Sequence, residues 1–198
     1  MRLLPCGAGA ILAEYDSLSE VMAVDDALRR SGLDGIDDVI PAARTVLVTY
    51  HHVDRAALEM LLVPAETALR PEGPIVEIPV VYDGIDLDEV SEGTGLSIEL
   101  VIATHSATVY SAAFLGFTPG WAYLVGLPAT LHLPRRSTPR TAITAGSVAI
   151  ANEFTGVYPT VSPGGWHLLG HTTERMFDVD RDKPSLVMAG DRVKFVRT

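Results

Sequence analysis

Cysteine, positive charge and long apolar runs are all scarce in this chain. The single cysteine, Cys6, excludes a disulfide framework and a cysteine-based zinc site, and we expect it to be buried as a packing residue. Acidic residues outnumber Lys and Arg by 25 to 15, which argues against nucleic acid or an anionic membrane as a partner. No run approaches the ~18 apolar residues that cross a bilayer. These absences predict a cytoplasmic globular protein.

Several catalytic motifs are also missing. The chain has neither a G-x-x-x-x-G-K-S/T loop for a nucleotide nor an H-E-x-x-H pair for zinc. The adjacent His51 and His52 would point to opposite faces of a strand, so we predict no metal site. The segment AGSVA at 145–149 lacks the second glycine of a nucleophile elbow, which leaves Ser147 without a predicted role as a hydrolase serine.

Residues 1–78 have the pattern of a small α+β domain. Ser17 with Glu20 three residues later is a capping box, and Gly32 is a suitable C-cap for the helix between them. The predicted elements are a first strand in the N-terminal segment with its apolar part at 9–15, a helix at 17–32, two strands around Pro41, and a helix that begins at Asp54 and is ended or kinked by Pro64. This order favours a small α+β sandwich.

Residues 79–198 have a different sequence pattern. Two short helices are predicted near 86–93 and 97–105, and the rest is short apolar runs separated by Gly and Pro. The predicted strands lie within 143–151, 156–161, 166–172 and 191–196. Short strands with turn signals about every ten residues are typical of a closed or sandwiched β structure. The chain is thus expected to have an α+β domain followed by a mainly β domain.

The chain has only two tryptophans, and each follows a proline–glycine turn. Glycine lets backbone N–H groups approach a ligand, proline stiffens the turn, and the indole supplies a flat wall. The turns predict a pocket for a small polar acid or amide, whose candidate lining residues are Phe117, Pro119, Gly120, Trp121, Pro163, Gly164, Gly165 and Trp166. The alternative left open is that both indoles fill the ends of the β core.

The charged candidates lie in the same half of the chain. Arg135, Arg136 and Arg140 are clustered and suit a carboxylate or phosphate, although surface ion pairs are an equal alternative. If 166–172 is one regular strand, His167 and His171 share a face. Imidazoles transfer protons near neutral pH, and the competing interpretation is that these histidines are buried and hydrogen-bonded.

The motifs GFTPGWAYLVGLP, LPRRSTPR, AGSVAIA, TGVYPTVSPGGWHLLGHT and AGDRVKF resemble the family of allophanate hydrolase subunit 1. This family includes the B subunit of bacterial ATP-dependent 5-oxoprolinase, a sporulation histidine-kinase inhibitor and one carboxyltransferase subdomain of urea carboxylase. The resemblance runs from residue 80 to the C terminus. It implies that the barrel, residues 79–198, is cyclophilin-like.

The resemblance also implies a function and partners. The first expectation is a 5-oxoprolinase component that opens 5-oxoproline to glutamate with ATP cleavage, ATP being shared with a larger homologous second subunit and an A subunit. The implied roles are proton transfer by His105 or His171, anion binding by Arg135, Arg136 and Arg140, and a pocket wall that includes Tyr110.

Two alternatives within the family stay open. One is a carboxyltransferase half acting on urea-type amides, for which biotin would arrive on another protein, since the chain has no Met-Lys-Met segment. The other is a non-catalytic inhibitor of a histidine kinase. His171 stands where the urea carboxylase type tends to carry Arg, which favours the oxoprolinase branch.

Overall fold

The computed structural model describes residues 1–65 and 73–198. The chain divides into two compact units, Met1–Pro71 and Glu72–Thr198. The strand Ile75–Val80 belongs to the second unit, so position 78 falls inside a strand of the barrel rather than between domains. The predicted continuation of the second helix past Ala65 lies outside the described residues. In the described ranges, no helix has the length and apolarity needed to cross a membrane.

The first unit is a four-stranded antiparallel sheet that packs against two helices. Its elements are β1 (Arg2–Pro5), β2 (Ala10–Glu14), α1 (Leu18–Ser31), β3 (Ile36–Pro41), β4 (Thr45–Tyr50) and α2 (Arg55–Leu61), and the strand order is β1-β2-β4-β3. The segment predicted as one N-terminal strand forms two, which turn at Gly7 with a φ of 71°. Cys6 lies in this turn and is exposed, so the expectation of a buried thiol is wrong.

The helix boundaries of the first unit follow local signals. The Ser17 hydroxyl accepts from the Glu20 amide while the Glu20 carboxylate accepts from the Ser17 amide, and Gly32 ends α1 in the left-handed region. Asp54 caps α2 by accepting from two backbone amides. The helix then stops at Leu61, before Pro64. These sequence predictions are confirmed.

The second unit is mainly β. Its elements are β5 (Ile75–Val80), α3 (Leu87–Thr94), α4 (Ile98–Ala107), β6 (Val109–Leu115), β7 (Ala122–Val125), β8 (Arg140–Ile143), β9 (Ser147–Ala151), β10 (Phe154–Val157), β11 (Ser162–Gly164), β12 (His167–His171) and β13 (Arg192–Arg197). Seven strands form one sheet in the order β12-β9-β10-β7-β6-β13-β5, and β8 pairs with β11 in a separate ribbon. The two predicted helices are confirmed, and so are the strands predicted within 166–172 and 191–196. The region 143–151 contains the end of β8 and all of β9 with a turn between them, and the strand predicted at 156–161 is wrong beyond Val157, where β10 ends.

The seven-stranded sheet curls until its two edges meet. Val81, the residue after β5, exchanges two hydrogen bonds of 2.9 Å with His171 at the end of β12. This bridge makes the sheet a nearly closed barrel, and the apolar side chains inside it form the core of the unit. The chain therefore has the expected fold class, an α+β unit followed by a mainly β barrel.

One strand departs from regular alternation. The pairing of β12 with β9 shifts between Leu168 and Gly170, so Leu169 is an extra residue in the ladder. A one-residue shift moves every later side chain to the opposite face. The prediction that His167 and His171 share a face is therefore wrong.

Candidate functional site

A cavity of about 300 Å³ opens beside the two tryptophans. It contains eight of the predicted site residues, namely Phe117, Trp121, Arg135, Arg136, Pro163, Gly164, Gly165 and Trp166. Tyr123, Pro139 and Tyr158 also line it and were not predicted. The sequence signal for the tyrosines was weak, because each lies in a short apolar strand or just after one. We call this space the aromatic cavity.

Both indoles are part of the core and of the cavity wall at once. Trp121 is 1% exposed and Trp166 is 4% exposed, and their rings meet edge to face with centroids 4.9 Å apart. Tyr158 packs on Trp121 in the same manner at 4.7 Å. The two interpretations of the tryptophans are therefore compatible, since both indoles are buried against other aromatic rings and both also line the cavity.

The turn before Trp121 is built from unusual backbone conformations. Phe117 has a φ of 64°, which a bulky residue rarely adopts, and its side chain is 60% exposed at the cavity. Gly120 has a φ of 84°, and a Cβ there would lie 2.7 Å from the Cβ of Phe177. Pro119 and Gly120 do not line the cavity themselves. They shape the turn that places Phe117 and Trp121 against it.

Gly164 in the second turn makes room for a tyrosine. A Cβ at this position would collide with the Tyr158 hydroxyl, so only glycine lets the phenol lie across β11. Burial is the main factor that raises the pKa of Tyr158 to about 12, against the lowering effects of a hydrogen bond with the Trp166 backbone and of nearby arginines. The phenol is therefore neutral near pH 7 and contributes a hydrogen-bonding group without charge.

Two of the three clustered arginines are committed to one buried carboxylate. Arg140 binds both oxygens of Asp86, at 3.0 and 2.6 Å, and Arg136 donates to the same carboxylate at 2.9 Å. Arg136 also pairs with Glu89. The backbone N–H of Leu168 completes the Asp86 site at 2.8 Å. Arg136 and Arg140 are thus ion-paired, and the expectation that they hold a substrate anion is corrected to a structural role.

The Asp86 carboxylate is ionised despite its burial. At 2% exposure, desolvation raises its pKa, but the Arg140 and Leu168 hydrogen bonds and the charges of Arg140 and Arg136 outweigh this and leave the pKa below its usual value. The carboxylate thereby fixes two guanidinium groups, one at each of two cavities, because Arg136 lines the aromatic cavity and Arg140 lines another space.

Arg135 differs from its two neighbours. Its side chain is exposed at the aromatic cavity, and it has no carboxylate partner among residues 1–65 and 73–198. Its charge lowers the pKa values of the Tyr123 and Tyr158 phenols, although burial raises both pKa values by more. Arg135 is therefore the cation of the cluster that is free to bind an anion.

His105 and Tyr110 lie inside the barrel rather than at the aromatic cavity. Thr155 donates its hydroxyl to a carbonyl, so it accepts from His105 Nε2 at 2.9 Å, and the Tyr82 hydroxyl donates to Nδ1 at 2.8 Å. The Tyr110 hydroxyl donates to the His105 carbonyl. Desolvation lowers the pKa of His105 to about 3. Both ring nitrogens are occupied and fully buried, so we replace the expected roles of both residues with structural ones.

His171 lies at a different cavity from the tryptophans. Its Nδ1 is 2.8 Å from Asp83 Oδ1, and it lines a second space of about 290 Å³. His167 is buried with Nε2 donating to the Pro134 carbonyl. The structure therefore does not bring His171 to the aromatic cavity. No group of three or more His, Cys, Asp or Glu suited to a metal ion occurs in the described parts of the chain.

The fold and the cavity define a two-unit protein whose β barrel has a cavity walled by aromatic rings. The chain belongs to the family described as carboxyltransferase domain, subdomains C and D, which matches residues 1–187.

Known proteins resemble both the sequence and the fold. The B subunit of 5-oxoprolinase from Escherichia coli O157:H7 is 42% identical over 178 residues, which cover 86% of this chain and 82% of that protein. The crystal structure of TTHA0988 is 37% identical with a TM-score of 0.77 over 96% of this chain, and this chain spans 40% of its length. K. lactis urea amidolyase matches with a TM-score of 0.79 over 99% of this chain and 15% of its own, but at 17% identity it shows only the fold.

Proposed function

We propose that this chain is the B subunit of an ATP-dependent 5-oxoprolinase and takes part in opening 5-oxoproline to glutamate. The observation that carries the proposal is the aromatic cavity with its unpaired Arg135, in a chain whose relatives at 42 to 48% identity are named as B subunits of 5-oxoprolinase. The name of these relatives supports a role within a multi-subunit enzyme.

The chemistry of the cavity suits this substrate. 5-Oxoproline has a small ring with an apolar edge and one carboxylate. The rings of Trp121, Trp166 and Tyr123 offer walls for the flat lactam, while Arg135 at the rim offers two parallel hydrogen bonds to the carboxylate. The neutral Tyr158 hydroxyl adds a polar contact without opposing charge.

The remaining machinery is assigned to partner subunits. The described lining of the aromatic cavity contains no Asp, Glu or His, so it offers no general base. An unstrained lactam also resists hydrolysis until its amide oxygen is activated, which phosphorylation by ATP achieves. Because the chain has no Walker loop, we assign ATP to the complex, with a larger homologous subunit and an A subunit as the expected partners, and we expect this chain to be inactive alone.

The direct test is reconstitution. Co-expression of the chain with the products of its neighbouring genes should yield a complex that releases glutamate from 5-oxoproline only when ATP is present. The chain alone should give no turnover. A purified full complex that leaves 5-oxoproline intact in the presence of ATP would contradict the proposal.

Replacing Arg135 tests the substrate site within that complex. Arg135→Ala removes a charge-assisted contact, and we expect KM for 5-oxoproline to rise about tenfold or more with little change in kcat, because binding rather than chemistry is weakened. Arg175→Ala is the matched control, since Arg175 is exposed in the same unit and its side chain pairs with Asp178 and with no other carboxylate of the described residues. An unchanged KM in Arg135→Ala would place the carboxylate elsewhere.

The alternatives are distinguished by the same preparations. A urea-type carboxyltransferase would depend on bicarbonate and a biotin carrier, and its support here is the fold of urea amidolyase. A kinase inhibitor would act at stoichiometric amounts without its partner subunits. No residue of the described site favours either alternative.

A further inference from the structure

The second cavity brings together groups that the proposed lactam site does not use. It lies where the barrel closes, has a volume of about 290 Å³, and is lined by Asp83, Arg140, Thr144, Ser147 and His171 among others. Among the residues that the structure describes, none lines both this cavity and the aromatic cavity. Its inventory of carboxylate, imidazole and hydroxyl groups is that of an acyl-transfer site.

Strand register places Ser147 directly opposite His171. The two residues are partners in the antiparallel pairing of β9 with β12. The backbone N–H and C=O of His171 both bond to Val81, on the far side from Ser147, so the two residues form a non-hydrogen-bonded pair. In such pairs the side chains project from one face with Cβ atoms about 4.5–5.5 Å apart.

Asp83 fixes the proton on the imidazole. A carboxylate can only accept, so the 2.8 Å contact of Asp83 Oδ1 with His171 Nδ1 makes Nδ1 the N–H donor. In the neutral ring, Nε2 then carries the free lone pair. Carboxylate, imidazole and serine hydroxyl are therefore ordered as in nucleophile activation, with Asp83 as the positioning residue.

The hydroxyl of Ser147 is hydrogen-bonded to a neighbouring threonine. Ser147 Oγ lies 3.1 Å from Thr144 Oγ1, and Thr144 lines the same cavity. For nucleophilic attack, a rotation about χ1 of Ser147 has to move Oγ away from Thr144 and toward the imidazole of the opposite residue, His171. Catalytic hydrogen bonds often tighten only when substrate is bound, so a longer contact in the free protein is compatible with this role.

We propose that Ser147, His171 and Asp83 form a second, separate site that transfers acyl groups from small uncharged esters or amides. Ser147 Oγ forms a bond to the acyl carbon as its proton passes to His171 Nε2. The bond to the leaving group breaks, and the leaving group takes the proton from the imidazolium, which returns Nε2 to its basic form. A water molecule, deprotonated by Nε2, then hydrolyses the acyl-serine and releases the acid.

The charge of the cavity selects the substrate class. Arg140 donates two hydrogen bonds to Asp86, which neutralises its charge. The Asp83 carboxylate lines the same cavity as Arg140. The cavity therefore offers no net attraction for an anion, and its volume suits a small acyl donor. This inference does not rest on the proposed lactam function.

The test uses the full chain alone with 4-nitrophenyl acetate. We expect release of 4-nitrophenol and an acetyl group on Ser147, identified by peptide mass spectrometry. Ser147→Ala should abolish the adduct, and His171→Gln should slow acylation about 10²-fold or more. Asp83→Asn should slow it at least about tenfold at unchanged thermal stability, with recovery in Asp83→Glu, which a purely structural role would not produce.

Controls separate this chemistry from background reactivity. Ser137→Ala and His132→Gln alter exposed residues of the same unit and should acylate like the unaltered chain. Ser147→Cys keeps a nucleophile and should be labelled even if Ser147→Ala folds poorly. Absence of an adduct on Ser147, or labelling of Ser147 that is independent of His171, would overturn the proposal, as would acetylation confined to surface lysines.

Discussion

Acidification is expected to destabilise the barrel by about 5 kcal/mol through one histidine, as the pH falls from 6.5 to about 3. His105 is fully buried and its pKa is lowered by desolvation, whereas in the unfolded chain it binds a proton at the ordinary pKa. Its contribution to stability is therefore complete above pH 6.5 and is lost progressively, by about 1.4 kcal/mol per pH unit, until the folded ring also titrates.

Urea unfolding followed by tryptophan fluorescence measures this effect in the second unit, which holds both tryptophans. His105→Gln can still accept from Tyr82 and donate to Thr155 but does not titrate in this range. Between about pH 7 and pH 4, the free energy of unfolding of His105→Gln should fall by about 3 kcal/mol less than that of the unaltered chain. The control His132→Gln alters an exposed residue and should show the same loss of unfolding free energy as the unaltered chain. Equal pH dependence in His105→Gln would contradict the buried neutral imidazole.

Removing Asp86 is expected to lower the free energy of unfolding by about 3–5 kcal/mol at neutral pH. The substitution Asp86→Ala leaves Arg136 and Arg140 without their shared counter-ion and leaves the Leu168 amide without its acceptor. Because the pKa of Asp86 is lowered on folding, its contribution is present above the ordinary aspartate range and is lost as the pH falls through the folded pKa.

Glu89 provides the matched control for Asp86. It also pairs with Arg136, but its side chain is about half exposed, so Glu89→Gln should cost less than about 1 kcal/mol. Replacing Asp86, Arg136 and Arg140 together by apolar residues should recover part of the loss, because no unpaired charge remains. Similar unfolding curves for Asp86→Ala and Glu89→Gln would show that the buried carboxylate does not organise the arginines.

Local signals made the helices predictable. Ser17, Glu20 and Gly32 decide the ends of α1 within a few residues of themselves, and Ser97 does the same at the start of α4 by accepting from the Leu100 amide. The glycines and prolines around Trp121 and Trp166 likewise indicated one cavity, which residues of both turns line. This was predictable because the residues that form a turn are adjacent in the sequence.

What could not be predicted depends on residues far apart in sequence. The commitment of Arg136 and Arg140 to Asp86 spans about fifty positions and leaves no trace in the PRRSTPR segment itself. The extra residue in β12 moves His171 to the opposite face of the strand from the one predicted. Which face a side chain occupies depends on the pairing with the neighbouring strand as well as on the segment's own pattern. The opposition of Ser147 to His171 arises from the same pairing.

The position of β13 in the barrel has a consequence for biosynthesis. This final strand lies between β6 and β5 and is in register with β5 over six residue pairs, although more than a hundred residues separate the two in the chain. Until β13 has left the ribosome, β5 lacks its parallel partner strand and the barrel has a gap between β5 and β6. Such long-range pairing slows folding and leaves unpaired edges exposed to chaperones during translation. Removal of the last strand would therefore open the barrel at an interior position rather than shorten it at a margin.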